Sequence, residues 1–538
     1  MGTNPLSRLG RRGFFGGVAA VSAAAAAATS AQPATAAPAA TPVLPLALPD
    51  PSQQRKFFAF DSGLWNGHLM SNCKVVTGQF HKDTRNNPLF REGIFEDPYL
   101  PWEPRFDNGY PNVIWDPVAK LYRCYYTLFI KDPTSKDTRP ADRARKPYVI
   151  SGRQTGCAYA ESKDGVRWTK PQLGIVDFEG STANNLLFTD IQGTSVLYDA
   201  KDPNPARRFK LLTLKEKGGT SLCVAFSADG IHFSDLQPWP AASGSPVPGG
   251  DCHNQVFIDP RTNEYVLITR LWDNNIRVSA MSRSTDFINW SKPVEIHRGT
   301  GFESQIYSMP VFEKHGVYLG LASMFHDGDD TRDDYDSVDL ELHWSSNTAE
   351  WQPVAVDPED ATFIPHGNKR GGYPNGEFDS NVVFSAVPIE EDDKLWFYYM
   401  GGKGGHTNWR ESALGRGWIE KDRYAAYVPR RGNRTTVLTT QGLNFSEGIL
   451  QILADIEPGG DLRCELRNVG GTVVQPGFEL SKSRVSERGD GWLDISWRGS
   501  SLSSLNPNAF YALRVEMRRT KVWAIQGIYP RPLKYTKH

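Results

Sequence analysis

The chain lacks the marks of several large protein classes. Its 60 lysines and arginines stand against 61 acids, a formal net charge of -1, which removes the electrostatic drive for tracking a phosphate backbone and argues against a nucleic-acid partner. Six cysteines, at 73, 124, 157, 223, 252 and 464, include no Cys-x-x-Cys pair and no zinc spacing, so most are expected to be buried thiols. Long helical periodicity is missing, as are Ser/His/Asp nucleophile motifs, glycine-rich phosphate loops and a His-Glu-x-x-His string. Past Ala40 no stretch reaches the ~18 uninterrupted apolar residues of a spanning helix, and no membrane span is expected.

What is present fits a turn-rich β protein: 49 glycines, 37 prolines and 12% aromatics, with 15 Trp and 20 Tyr whose rings stack well on flat partners such as sugars. At 538 residues the chain has room for a large all-β unit and a smaller one. The first segment, 1–40, reads as an address. Arg8, Arg11 and Arg12 precede an Ala-rich apolar run from Phe14 to about Ala28, followed by small residues and prolines. The Arg11-Arg12-Gly13-Phe14-Phe15 string resembles a twin-arginine signal, so export machinery is an expected partner and the mature protein is expected outside the cytoplasm.

One signature recurs: Ser162-Lys163-Asp164-Gly165, Ser227-Ala228-Asp229-Gly230, Ser284-Thr285-Asp286-Phe287 and a worn Ser345-Ser346-Asn347-Thr348, each followed three residues on by Trp or Phe. Positions 164, 229, 286 and 348 lie 65, 57 and 62 residues apart, the length of one four-stranded propeller blade. Asp-Gly supplies the positive φ of a tight corner, and the upstream Ser bonds the turn backbone. Five apolar second strands begin at Leu121, Phe209, Tyr265, Val317 and Leu395, each preceded by an inner-strand candidate at Val113, Ser195, Gln255, Pro310 and Asn381. The expected fold is therefore all-β: a five-bladed β-propeller over 55–430, then a β-sandwich over 435–538, where the signature stops and short alternating strands follow. Gly459-Gly460 and Arg518-Arg519-Thr520-Lys521 read as turns between those strands.

Residues entering the inner strands of a propeller meet in one central funnel. Each blade delivers an acid there: Asp107, Asp190, Asp251, Glu303 and Asp379. Glycoside hydrolysis needs one carboxylic acid to protonate the leaving oxygen and one carboxylate to attack or to activate water. Asp251 is the expected acid and Asp107 the nucleophile or base, with Glu303, Asp379 and Asp190 as stabilisers. His253, Asn254, Arg270 and Glu341 are candidate sugar contacts, and Trp102, Tyr307 and His406 candidate platforms or donors beside them. No organic cofactor is expected and no metal ligand set is assigned. The acidic run Asp327 to Asp336 fails the EF-hand spacing, although a structural calcium stays open.

The blade-then-sandwich order, the Ser-x-Asp-Gly corners and the Phe257-Ile258-Asp259-Pro260-Arg261 string resemble glycoside hydrolase family 32, with its fructofuranosidase-like propeller, and the arabinanase-like relatives in family 43. That resemblance implies a nucleophile at Asp107-Asn108-Gly109, a stabiliser at Asp190 and an acid at Asp251-Cys252. None of the family's three strings is intact here, which points to a divergent branch acting on an oligo- or polysaccharide, with a furanoside favoured. Two other readings stay open: a non-catalytic sugar-binding propeller, or a phosphorylase or transglycosidase supported by Arg105, Arg270 and Arg410.

Overall fold

The computed structural model describes residues 56–217, 221–238, 250, 252–432 and 434–530; the leader-like segment and Asp251 lie outside the described residues. Regular structure is nearly all β, the described helices being short, as in Pro133–Asp137 and Pro140–Arg143. None of the described helices is long and apolar enough to cross a membrane.

Three sheets follow the chain in simple up-and-down order. The first joins Asn112–Asp116, Leu121–Lys131, Gln154–Ser162 and Trp168–Thr169, and the second Ile191–Tyr198, Phe209–Lys215, Ser221–Ser227 and Gln237–Pro238. The third joins Gln255–Ile258, Tyr265–Asp273, Ile276–Ser284 and Val294–Arg298. A fourth array, centred on Val317–Phe325 and Val338–Ser345, and a fifth, centred on Lys394–Gly402 and Ala413–Glu420, are linked into one sheet by a single parallel pair, Val338 with Val382. The outer edge of the fifth array comes from the other end of the chain: His81–Lys82 and Phe90–Arg91 pair with Ala413–Glu420. No sheet closes on itself among the described residues.

Side chains carry the connection from one sheet to the next. Asn112 Oδ1 accepts from Val196 N at 2.6 Å, Ser195 Oγ from Val256 N at 3.0 Å, and Gln255 Oε1 from Val311 N at 3.0 Å, so each of the first three inner strands is stitched to its successor. Apolar layers repeat the same order. Tyr159 shares a buried cluster with Val196 and Leu211, Leu212 with Val256, and Ile268 with Val311. Leu340 then shares a cluster with Val383, and Tyr398 and Leu414 share one with Val113 and Tyr126, which brings the fifth array back to the first. Each such fully buried apolar side chain contributes roughly 1.5–3 kcal/mol. Because the middle strands are buried on both faces, they read in sequence as continuous apolar runs without alternation.

The repeated signature forms the corner between third and outermost strands. In each copy the Ser hydroxyl contacts the next Asp or Asn carboxyl or amide oxygen, at 3.1, 2.9, 3.1 and 3.2 Å, and that oxygen caps two backbone N–H groups. The following residue takes positive φ every time: Gly165 67°, Gly230 77°, Phe287 67° and Thr348 66°.

The remaining strands form one nine-stranded sheet rather than two hydrogen-bonded layers, and it draws in segments expected elsewhere: Lys56–Phe58, Cys73–Thr77 and Ala425–Pro429. The expected turns at Gly459-Gly460 and Arg518–Lys521 are also not turns. Gln451–Asn468 and Tyr511–Gln526 each run as single strands, paired along their length with a register shift between Ile456 and Asp461 that absorbs the glycines. All six cysteines are free, and five are buried.

Candidate active site

Loops that lead into inner strands, and hairpins that join second to third strands, supply one cluster of polar side chains. Its anchor is the segment before Asn112, where Asp107 (φ 55°), Gly109 (69°) and Tyr110 (37°) all adopt left-handed backbone. Two of those are non-glycine residues, a conformation that costs energy and concentrates at functional sites. Asp107 is 7% exposed, and its Oδ1 accepts from Arg410 Nη1 at 2.5 Å. Arg410 also bonds Asn108 Oδ1, and its Nε donates to the His406 carbonyl at 2.7 Å. Asn108 Nδ2 donates to the hydroxyls of Tyr110 (2.7 Å) and Tyr307 (3.2 Å), which are themselves 3.1 Å apart. The fifth, first and fourth arrays thus meet around Tyr307.

The third sheet enters through His253 and Arg270. His253 stacks on Tyr110 and donates from Nε2 to the Pro111 carbonyl at 3.0 Å; burial pushes its pKa down to about 4, which keeps the ring neutral near pH 7. Arg270 lies over both Trp272 and Tyr307, each at 5.0 Å, and Arg277 over the same two rings at 4.6 and 5.2 Å. His406 packs edge-on against Tyr307 at 4.9 Å and beside Phe325 at 4.6 Å. Burial, then the charges of Arg410, Arg277, Arg270 and Arg105, holds it far below the usual histidine range.

Where the second sheet adjoins the first, a set of carboxylates gathers. Asp190, also left-handed (φ 57°), accepts from Gln154 Nε2 at 3.0 Å. Its carbonyl receives the N–H of Glu216, whose Oε2 accepts from the Thr155 hydroxyl at 2.6 Å. Glu216 is exposed as a residue, but its carboxyl end is turned toward the sheet junction. Desolvation there raises its pKa, the Thr155 bond opposes that, and the charges of Asp107 and Asp190 raise it further. Three acids from two sheets therefore share one electrostatic neighbourhood, and one of them is driven toward the protonated form.

Of the residues singled out in the sequence, Asp107, Asp190, His253, Arg270, Tyr307 and His406 are brought to this region. Asn254 is buried next to His253, with Nδ2 donating to the carbonyls of Gly193 and Gly250 and Oδ1 accepting from Thr269, which commits it to joining the second and third sheets. Four others make their contacts with different partners. Asp379 is buried against Lys82 (2.6 Å) and the Tyr399 hydroxyl (2.8 Å), on the flank where the N-terminal strands complete the fifth array. Glu341 pairs with His343 at 3.0 Å, and Trp102 donates its indole N–H to Asn185 at 2.6 Å. Glu303 is an exposed loop residue whose carbonyl contacts His326 Nδ1 at 3.1 Å. Asp251, adjoining Cys252 and His253, is outside the described residues.

Sequence reasoning missed Glu216, Trp272 and Arg277 because it searched only ahead of inner strands. The hairpins after Lys215 and Asp273 lie at the same strand ends, and that topological rule would have found them. The acidic loop ending at Asp336 touches the fifth array's hairpin, with Asp336 accepting from Thr407 at 2.8 Å. Among the described residues the grouped carboxylates with metal-like spacing are instead Asp357, Glu359 and Asp360, and Lys74 forms an ion pair with Asp360.

No family model matches the chain, and no curated protein matches it, so the family 32 resemblance is not carried by any family match. Solved structures do match in broad outline. A glycosyl hydrolase from Bacteroides ovatus is 13% identical, over 65% of this chain and 95% of its own, with a TM-score of 0.44. The β-1,2-mannobiose phosphorylase of Listeria innocua, solved with β-1,2-mannobiose, is 12% identical over 64% and 97%, at 0.41. An α-L-arabinofuranosidase from Podospora anserina, solved with cellotriose, is 12% identical over 64% and 98%, at 0.38.

Proposed function

We propose that the five strand arrays are the blades of a five-bladed propeller and that the chain is a glycoside-processing enzyme whose reaction centre lies where Asp107, Asp190 and Glu216 gather. In this reading Glu216 carries the proton to the departing glycosidic oxygen, because its surroundings favour the protonated carboxyl. Asp107, fixed by Arg410, supplies the carboxylate that attacks the anomeric carbon or takes a proton from water. Asp190, held by Gln154, orients a sugar hydroxyl. The single observation that supports it is the convergence of these acids from hairpin and entry loops of separate sheets. A furanosidic substrate remains the expectation attached to the family 32 resemblance, and the arginine-bearing leader supports action outside the cytoplasm.

The test is turnover of aryl furanosides, aryl pyranosides and polysaccharides by the mature chain, beside Glu216→Gln and Asp251→Asn. An acid at Glu216 predicts that E216Q loses about 10²–10⁴-fold on poor leaving groups and far less on activated ones. The same signature in D251N instead would move the acid to Asp251. Absence of turnover on every substrate would overturn the enzymatic reading.

A further inference from the structure

Deepening that reading, we infer that the centre contains an oxyanion subsite, built from Arg105, Arg277 and Arg410 around His406, which takes either a substrate carboxylate, as on a uronosyl residue, or free orthophosphate. Cations converge there from three arrays. Arg410 comes from the fifth, Arg277 from the third, and Arg105 from the segment preceding the first, where its Nη2 donates to the Asn408 carbonyl at 3.1 Å in the same hairpin as His406. Arg270 adds a fourth guanidinium over Tyr307.

Among the described residues Asp107 is ion-paired with Arg410, and Glu92 and Asp327 lie within electrostatic reach of Arg105 and Arg277. What stays unmet is hydrogen bonding. Arg105, only 3% exposed, hydrogen-bonds a carbonyl and stacks on Tyr148 at 3.8 Å, and its Nε and Nη1 are buried without a partner among the described residues. Arg277 Nη1 bonds the neutral Gln305 amide oxygen at 3.0 Å, and its Nε is likewise buried and unpartnered. His406 is 9% exposed, and neither ring nitrogen has a hydrogen-bond partner among the described residues. Desolvation lowers both Arg105 and Arg277 to about 10, a sign that burial opposes their charge. Buried donors of this kind are normally answered by an acceptor, and guanidinium forks match carboxylate and phosphate oxygens. An oxyanion presents several acceptor oxygens to such donors at once.

Titration calorimetry on the mature chain carrying Glu216→Gln separates this inference from catalysis, since binding is read without turnover. The ligands are orthophosphate, D-glucuronate and D-glucose, at matched chloride. The expected result is that at least one oxyanion binds tenfold or more tighter than glucose, and that Arg105→Gln and Arg277→Gln each weaken it tenfold while the exposed Arg298→Gln does not. Glucuronate without phosphate assigns the subsite to a substrate carboxylate; phosphate without glucuronate assigns it to the free ion. Equal or absent binding of all three ligands overturns the inference even if the variants fail to fold, as does unchanged oxyanion affinity in folded Arg105→Gln and Arg277→Gln.

Discussion

Arg410 Nη1 donates to Asp107 Oδ1 at 2.5 Å across 303 residues of chain, joining the hairpin of the fifth array to the entry of the first. Both side chains are more than nine-tenths buried, so removing either leaves a charge without its partner in a poorly solvated place. Arg410→Ala is expected to cost about 3–5 kcal/mol by urea unfolding. Adding Asp107→Asn to it should recover part of that loss. Strictly additive single and double variants would show that the pair is not coupled.

The carboxyl of Glu216 titrates above its ordinary range, which fixes the sign of two pH effects. As a proton donor it works only below its pKa, so kcat/KM falls as pH rises through the raised value, and E216Q lacks that alkaline limb. Stability follows the same direction: the folded state holds this proton more tightly than the unfolded chain. The contribution is complete below the unfolded pKa of ~4.3 and is lost as pH rises through the folded one. A pH–rate profile with no difference between the two proteins on the alkaline side would reject the role.

At the corner after the third sheet's third strand, Asp286 behaves oppositely. Desolvation pushes its pKa up, but N–H bonds from Asn289 and Ile288, with the Asn289 amide and Ser284, hold it down to about 2. Its stabilisation is present above the unfolded pKa of ~3.9 and disappears as pH falls toward 2. Asp286→Ala is expected to cost about 1–2 kcal/mol at pH 7, the loss of a turn-capping acceptor, and close to nothing near pH 2. Thermal unfolding at the two pH values checks it.

Those corners explain what the sequence made legible. The corner pattern is legible because the Asp carboxylate, or the Asn347 amide oxygen in the fourth copy, caps two N–H groups each time, whereas the next position demands only positive φ, which Gly165 and Gly230 meet freely and Phe287 and Thr348 meet under strain. Second strands were readable from their apolar runs, and their starts at Leu121, Phe209, Tyr265 and Val317 coincide with the observed ones. What composition does not encode is which distant strand fills an edge. Nothing local in His81–Lys82 announces that it pairs with Gly417 and Trp418. The site suffered from the same limit: an acid ahead of a strand looks alike at Asp107 and Asp379, and only Lys82, brought in from the N-terminal segment, turns Asp379 into a strut.

Asp379→Asn separates those two roles. Its buried carboxylate ties Lys82 and Tyr399 together, so the variant is expected to lose ~1.5–3 kcal/mol, the range for hydrogen bonds to a charged group. Per folded molecule its kcat should fall far less than that of E216Q. Active-site titration combined with urea unfolding distinguishes the two. A kcat loss matching E216Q at unchanged stability would return Asp379 to the reaction centre.

Trp272 offers the last discriminating measurement. It is 47% exposed at the end of Tyr265–Asp273, which is unusual for so large an apolar ring, and guanidiniums of Arg270 and Arg277 lie 5.0 and 4.6 Å from it. A ring so placed presents a flat surface to a sugar while the cations beside it hold its orientation. Removing the ring takes away contact that substrate and transition state share, so Trp272→Ala should raise KM roughly 5- to 30-fold, the equivalent of about 1–2 kcal/mol, and leave kcat within about threefold. Trp272→Phe should restore most of the affinity because it keeps the flat face. If alanine instead lowers kcat at unchanged KM, the ring acts on the reacting geometry and not on a shared binding contact; if both constants are unchanged, the sugar does not pass over it.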